Sequence, residues 1–560
     1  MRVASISQAL PCKNLATKLG NYSFVSLTTP QDSVTFKGNY STKDINVDVD
    51  TAEIVANSLS TSTSGHRAVY GSKLFTPDVV ELMTLGVAKY AKDTAKEQGK
   101  EPVVLIGGDT REATTKSLNL VKNTLINQGI NVLYIQKPVP TPLHALKTQQ
   151  DNIDVAILMT ASHNPWEDGG YNLVTKEGAI APPSVTKQVA SNMVQYAKEG
   201  KITTNKNQIG TVKTIFPYES YKDTIESYNL IDWDKIRNSN ISIYYDSLKG
   251  TGENVFPKLM EDYLIPFKDV DSGEKEGPNP TKENLIEVKN DILNDPNSLK
   301  IGLANDGDAD RFGIIDEKGN FITPNDVLLL TAYHLAKNKS KTGSIIRSQA
   351  TSSQIDIFAK NNGLNIIQTP VGFKYIGEDI IEERKKGNDI LVAGEESGGL
   401  TINSHIPEKD GIIALLLMLD LVATEEKPLS EILDNVKEDL NVEFRANCIS
   451  KKFNDDTDKN TVMSRINNIY NDALEGKTEF GNGYTIDVEK TKEVAEEMQH
   501  YKKGGDGIKL YLTDGSSFLV RKSGTEPKVK VYIEVARENA EEADKTLTDL
   551  SSAAEDILTV

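Results

Sequence analysis

Val155-Ala156-Ile157-Leu158-Met159, followed at once by Thr160-Ala161-Ser162-His163-Asn164-Pro165, decides how the chain is read. Five apolar residues bounded by polar and turn-forming ones make a buried strand, and Asn-Pro stops the chain from continuing smoothly. Ser162 is therefore expected on a loop at a strand's carboxyl end, the edge of an α/β sheet where ligands gather. Taken alone, a serine beside Asn-Pro more often caps a turn. Its weight comes from its surroundings.

Upstream, Val103-Val104-Leu105-Ile106 reads as a strand ending in Gly107-Gly108-Asp109-Thr110-Arg111. A helix over about 113–128, strand Val132-Leu133-Tyr134-Ile135 and a helix start at Thr141-Pro142 follow. With the Ser162 strand they form a βαβαβ series, which implies parallel strands and right-handed crossovers. Downstream the pattern restarts at Ile241-Ser242-Ile243-Tyr244-Tyr245. Its Gly250-Thr251-Gly252 is a strand-to-helix turn, since the third glycine of a dinucleotide fingerprint is missing. Strand Lys300–Ala304 runs into Asn305-Asp306-Gly307-Asp308-Ala309-Asp310-Arg311. A third unit from about Phe321 carries the loop Thr369–Lys374 and the strand Ile390–Ala393, which delivers Gly394-Glu395-Glu396-Ser397-Gly398-Gly399. From about 443 polar helices alternate with short strands, and Ser517-Phe518-Leu519-Val520 ends in Arg521-Lys522-Ser523-Gly524-Thr525-Glu526-Pro527-Lys528. The fold class expected is α/β, with three similar mixed α/β domains and a C-terminal α+β domain. The boundaries expected are an extension at 1–50 and domains at 51–206, 207–320, 321–440 and 441–560.

A length of 560 residues suits three or four domains at about 150 residues each. The formal charge of -18 disfavours nucleic-acid partners, because phosphate backbones need a basic face. A phosphate-bearing ligand must then meet a local basic pocket. Cys12 and Cys448 give no disulfide framework and suit a reducing, cytoplasmic setting. No run approaches the roughly 18 apolar residues of a membrane span. The first thirty residues hold Arg2, Lys13, Lys18 and no acid, a faint transit-peptide texture better read as a frayed or strand-forming extension.

Asp306, Asp308 and Asp310 alternate on one loop, so three carboxylates can converge on a hard cation such as Mg²⁺. Glu317 falls at the twelfth position of an EF-hand, yet Arg311 stands where that motif needs glycine and strands flank the loop. A phosphatase loop with Asp306 as nucleophile and Asp308 as acid/base leaves Asp310 and Ser162 without a purpose. Arg521-Lys522-Ser523-Gly524-Thr525 offers a guanidinium fork, hydroxyls and free backbone N–H groups to a phosphate. Glu395 and Ser397 suit sugar hydroxyls, and Lys374 adds positive charge. Gly476-Lys477-Thr478 is no P-loop, because Asn471 occupies the first glycine position.

Taken together, Thr160–Pro165, Asp306–Arg311, Gly394–Gly399 and Arg521–Lys528 resemble, in order and type, the loops of the α-D-phosphohexomutase superfamily of phosphoglucomutases and phosphomannomutases. Thr63-Ser64-Gly65 with Arg67, Gly108–Arg111, Thr369–Lys374 and His405-Ile406-Pro407-Glu408-Lys409-Asp410-Gly411 support the likeness, which spans roughly 55–555. The resemblance implies four domains around a central cleft and a phosphoryl group carried on Ser162. Mg²⁺ would be held by Asp306, Asp308, Asp310 and the Ser162 phosphate. The implied reaction interconverts hexose 1-phosphate and hexose 6-phosphate through a hexose 1,6-bisphosphate, which also activates the enzyme. It implies catalytic roles for Ser162, His163 and Arg67, and substrate contacts from Arg311, Lys374, Glu395, Ser397 and His405. Phosphate would be held by Arg521, Ser523, Gly524, Thr525 and Lys528. Partners expected are sugar phosphates, with no nucleic acid or membrane, in a monomer or homodimer that closes through a hinge near 435–445. Gly399, where many bacterial phosphomannomutases have histidine, and the His405–Gly411 segment point to glucose ahead of mannose, glucosamine and pentose phosphates. One departure stands out. Many relatives place Asn-Gly-x-Lys after the serine loop, whereas Gly169-Gly170-Tyr171-Asn172 here puts an amide in place of that lysine, leaving Lys176, His163 or Arg67 to compensate. The readings of another class are a Mg²⁺-dependent sugar phosphatase using Asp306 and a non-catalytic sugar-phosphate-binding protein.

Overall fold

The computed structural model describes residues 33–34, 44–62, 65–202, 209–273, 275–403, 405–481, 483–499, 501, 507–522 and 528–559. The expected helices and strands are present, and they build four main sheets. In the first, the order is Ser33–Val34, Val212–Ile215, Asn131–Ile135, Val103–Gly108, Val155–Met159, Asp168–Val174, His66–Val69. The four strands from Val212–Ile215 to Val155–Met159 are parallel, as the βαβαβ reading requires. Beyond them, Asp168–Val174 and His66–Val69 add antiparallel pairs at the Ser162 side. Val212–Ile215, though beyond residue 206, joins this first sheet. The Ser33–Val34 backbone pairs antiparallel with it, so part of the N-terminal extension forms a strand.

The Asp168–Val174 strand is hard to read from sequence because it opens Asp-Gly-Gly. The glycines are steric necessities: a Cβ at Gly170 would collide with Thr160 O, and one at Gly169 with the Phe75 ring. The strand lies this close because its Asn172 amide donates to Leu158 O (3.3 Å) and Thr160 O (2.9 Å).

The second sheet sets Ser242–Asp246 parallel and Phe312–Ile315 antiparallel to Lys300–Asn305. The third runs Ile366–Thr369, Ser344–Ser348, Ile390–Glu395, Gly399–Ile402, the last strand antiparallel. Helix Gly411–Glu425 is buried from Gly411 to Ala423 and apolar over that span apart from Asp420, which pairs with His334 and Lys339, as a helix inside a core must be. It packs on both sheets and joins the second and third units in one hydrophobic core, to which the first unit contributes Leu105, Ile135 and Leu158. The fourth sheet is antiparallel, ordered Glu443–Lys452, Lys528–Arg537, Ser517–Lys522, Gly507–Tyr511. Val529, Val531, Ile533 and Val535 alternate toward a core of their own, as strand periodicity demands. Among the described residues no helix is long and apolar enough to cross a membrane.

Candidate active site

The Ser162 loop is built by one buried cation. Arg111 follows the strand Val103–Gly108, and its guanidinium donates to Ser162 O (2.5 Å), Asn164 O (2.6 Å), Asp168 O (3.3 Å) and Pro165 O. Its Nε pairs with Asp109 Oδ2 at 3.1 Å. The loop is thus wrapped around a positive charge, and Ser162 takes φ 54°, a conformation costly for a residue with a Cβ. Its hydroxyl donates to Asp306 Oδ2 at 2.9 Å across 144 residues of sequence.

Asp306, Asp308 and Asp310 leave the end of strand Lys300–Asn305 in a turn where Ala309 has φ 55°. One carboxylate oxygen from each lies within 4.8 Å of the other two, and all three residues are buried. Thr141 donates through its N–H to Asp308 O and through Oγ1 to Asp308 Oδ2 (2.7 Å), which locks the loop to the first unit. Gly307 must be glycine, since a Cβ would stand 2.8 Å from Ser162 O. Burial and Asp310 hold Asp306 up to about 6, and burial with Asp310 and Asp306 pushes Asp308 well above the usual carboxylate range. Oδ1 of Asp308 and of Asp310 accept no hydrogen bond among the described residues, although Arg311 Nε stands 3.8 Å from Asp310 Oδ1. Three buried, mutually repelling carboxylates with two oxygens that accept no hydrogen bond are the donor set of a hard divalent cation, so the residues fit Mg²⁺. The EF-hand rival fails on position, because Glu317 accepts from Ser430 N (3.2 Å) and Oγ instead.

Around this centre lies a cleft of about 210 Å³ lined by residues of all four units. Arg67, His163, Arg311, Lys374, Glu395, Ser397 and Arg521 line it. Arg67 reaches Asn164 Oδ1 at 3.1 Å and leaves its buried Nε without a partner among the described residues. Ser397 Oγ donates to Glu395 Oε1 at 2.6 Å. His163 sits between Ser162 Oγ at Nδ1 (3.3 Å) and Arg311 at Nε2 (3.4 Å). Arg311, then burial, then Arg67, Lys530 and Arg111 hold its pKa well below the usual value, so the ring is neutral. Arginine can only donate, so Nε2 accepts and Nδ1–H points at the serine. In this arrangement His163 donates to Ser162 rather than removing its proton.

The structure does not bring His405 to the cleft. It is 1% exposed, with Nε2 on Asp410 Oδ2 (2.7 Å) and Nδ1 on Tyr228 OH (2.9 Å). Its role is internal: a polar side chain this deep needs both nitrogens satisfied, and it has them. Lys528 opens strand Lys528–Arg537 and is not among the described residues that line the cleft. Ser523, Gly524 and Thr525 lie outside the described residues.

Three cleft groups went unread. Lys409 Nζ bridges Glu408 Oε1 (2.9 Å) and Asp310 Oδ2 (3.0 Å), and Lys530 and Tyr532 line the wall near Arg521. Burial alone would lower the Lys409 pKa, but Asp310, Glu408 and Glu395 raise it. The signal for Lys409 was its place in the segment His405–Gly411. Asn172 is 3% exposed, holds the serine strand as described, and carries no charge into the cleft.

Models of the phosphoglucomutase/phosphomannomutase domains match in order: alpha/beta/alpha domain I at residues 58–199, domain II at 219–319, domain III at 323–439 and the C-terminal domain at 485–549. A phosphoglucosamine mutase of Methanococcus aeolicus is 28% identical over 502 residues, covering 87% of this chain and 98% of its own. One from Carboxydothermus hydrogenoformans is 25% identical, covering 87% and 96%. Among solved structures, the open form of the phosphoglucomutase parafusin from Paramecium superposes with a TM-score of 0.69 at 22% identity, covering 89% of this chain and 94% of its own.

Proposed function

The chain belongs to the phosphoglucomutase/phosphomannomutase family, and from that premise we propose that it moves a phosphoryl group between O1 and O6 of a hexose phosphate by way of Ser162. The observation that carries this reading is the 2.9 Å contact of Ser162 Oγ with Asp306, at the edge of a buried carboxylate triad. A nucleophile placed against a metal site is what phosphoryl transfer needs, because that chemistry is mostly positioning and charge neutralisation. Asp306, Asp308 and Asp310 would hold Mg²⁺, which supplies positive charge to the phosphate on Ser162. Arg111 fixes the serine backbone, while Arg67 and Arg311 add positive charge where phosphoryl oxygens gather charge. Glu395 and Ser397 meet sugar hydroxyls, and Arg521 with the loop after it receives the phosphate that is not reacting. The hexose bisphosphate formed by the first transfer turns over in the cleft and returns its other phosphate to Ser162.

The Gly394–Gly399 loop favours glucose, but the names of the relatives favour the glucosamine phosphate alternative, and we place that substrate first. Both oxygens of Asp306 are occupied, Oδ1 by Arg311 N–H (3.1 Å) and Oδ2 by Ser162, which argues against an aspartyl nucleophile.

The test is product analysis with Mg²⁺ and a trace of the matching 1,6-bisphosphate, using glucosamine 6-phosphate and glucose 1-phosphate in parallel. Isomerised sugar phosphate formed by the wild type and lost in Ser162→Ala is the expected result. Inorganic phosphate released equally by both proteins would make the chain a hydrolase instead.

A further inference from the structure

The lysine missing at position 172 has a counterpart elsewhere in the lining of the cleft. Lys409 enters from the third unit and ends on Asp310 of the second. Its path is unusual: the stem passes through the space that a side chain at Gly399 would fill. A Cβ at 399 would overlap Lys409 Cδ and stand 2.6 Å from Cγ, and the third nearest atom is Lys409 Cβ at 3.5 Å. Gly399 is not at positive φ, so its backbone has no need of glycine. The three atoms nearest to a Cβ at 399 all belong to Lys409.

We propose that Gly399 is a positioning residue that admits Lys409 to Asp310, so that a glycine in the sugar loop and a lysine ten residues on together supply the cleft cation that Asn172 does not. This rests on the mutase reading above.

Asked to accommodate a larger residue at 399, the structure must move the lysine, because the backbone that carries it is pinned. Asp410 Oδ1 accepts from Ile412 N (2.8 Å) and Ile413 N (3.0 Å), capping the buried helix Gly411–Glu425. Asp410 Oδ2 accepts from Tyr221 OH and His405 Nε2, both at 2.7 Å. Because a carboxylate only accepts, Nε2 carries a proton toward Asp410, and Nδ1 lies 2.9 Å from Tyr228 OH. Arg384 holds His405 O at 2.6 Å. Tyr221 and Tyr228 come from the second unit, which also carries Asp310, so the lysine's backbone is registered against its target by two separate routes. What is left to yield is a flexible side chain, and its displacement takes the ammonium off Asp310.

A double-mutant cycle tests this, with Gly399→Ala, Lys409→Ala and the pair compared to wild type in turnover and in thermal melting. Gly399→Ala is expected to lower kcat by about tenfold or more, Lys409→Ala by at least as much, and the pair by no more than Lys409→Ala alone. In melting, Gly399→Ala lowers Tm, and the pair returns to the Tm of Lys409→Ala because nothing then opposes the methyl group. A purely structural glycine would cost the same in both backgrounds, and that additivity, or wild-type kcat in Gly399→Ala, overturns the proposal. If the wild type shows no mutase turnover, the functional reading falls, while the melting cycle still decides whether Gly399 and Lys409 are coupled.

Discussion

Arg111→Lys keeps the charge beneath the serine loop and removes its fork. The guanidinium is fully buried and serves five acceptors: Asp109 Oδ2 and the carbonyls of Ser162, Asn164, Pro165 and Asp168. An ammonium has three protons, so at least two of these acceptors lose their donor. At about 1–3 kcal/mol for each buried group left unsatisfied, the loop is destabilised by about 2–6 kcal/mol. Ser162 then has little reason to keep φ 54°, a strain that costs about 1–3 kcal/mol and persists only while its surroundings impose it. A displacement of about 1 Å at a reacting group lowers turnover by about 10²-fold, and that is the expected loss in kcat. Global melting reports the domains together rather than this one loop. Amide hydrogen exchange over residues 160–168 reads the loop itself, and it should accelerate in the variant while the fourth sheet is unchanged. Unaltered exchange there, with kcat within twofold of wild type, would refute the claim that this one guanidinium organises the loop.

Protons and Mg²⁺ should compete for the carboxylate triad. Asp306 is raised to about 6 and Asp308 well above the usual carboxylate range, by burial first and by neighbouring carboxylates second, so metal affinity measured by calorimetry falls as pH is lowered from 8 through 6. In the metal-free protein the sign reverses: folded carboxyls with raised pKa hold protons more tightly than unfolded ones near 3.9, so stability drops as pH rises through the folded values. Added Mg²⁺ should therefore raise Tm more at pH 8 than at pH 5.5, and an equal shift at both would count against the triad as its site. Restoring the family's lysine by Asn172→Lys should harm the protein, because the amide's two N–H bonds to Leu158 O and Thr160 O are lost and a charge is forced into a site 3% exposed. The expected outcome is a lower Tm and lower kcat; a gain in kcat would mean that a lysine at this cleft-lining position still serves the chemistry.

Short apolar runs and the loops that end them were legible because both are local. Val155–Met159 and Lys300–Asn305 announce themselves as buried strands, and Ser162 and the three aspartates stand just past them. What escaped the sequence depends on what a residue meets across the fold. Asp168–Val174 is disguised by glycines whose purpose, passage beside Thr160 O, appears only when the two strands lie side by side. His405 carries the residue type of a substrate ligand, yet its partners are Tyr228 and an aspartate that caps a helix, so its chemistry is spent inside the protein. Lys409 is the converse, an ordinary basic residue by type that gains its place from an absent side chain at Gly399. A histidine and a lysine four residues apart thus exchange the roles that their types suggest. The cause is geometric: the segment His405–Gly411 is anchored through its first and sixth residues, Asp410 turns inward to cap the helix, and Lys409 projects to the opposite side, into the cleft.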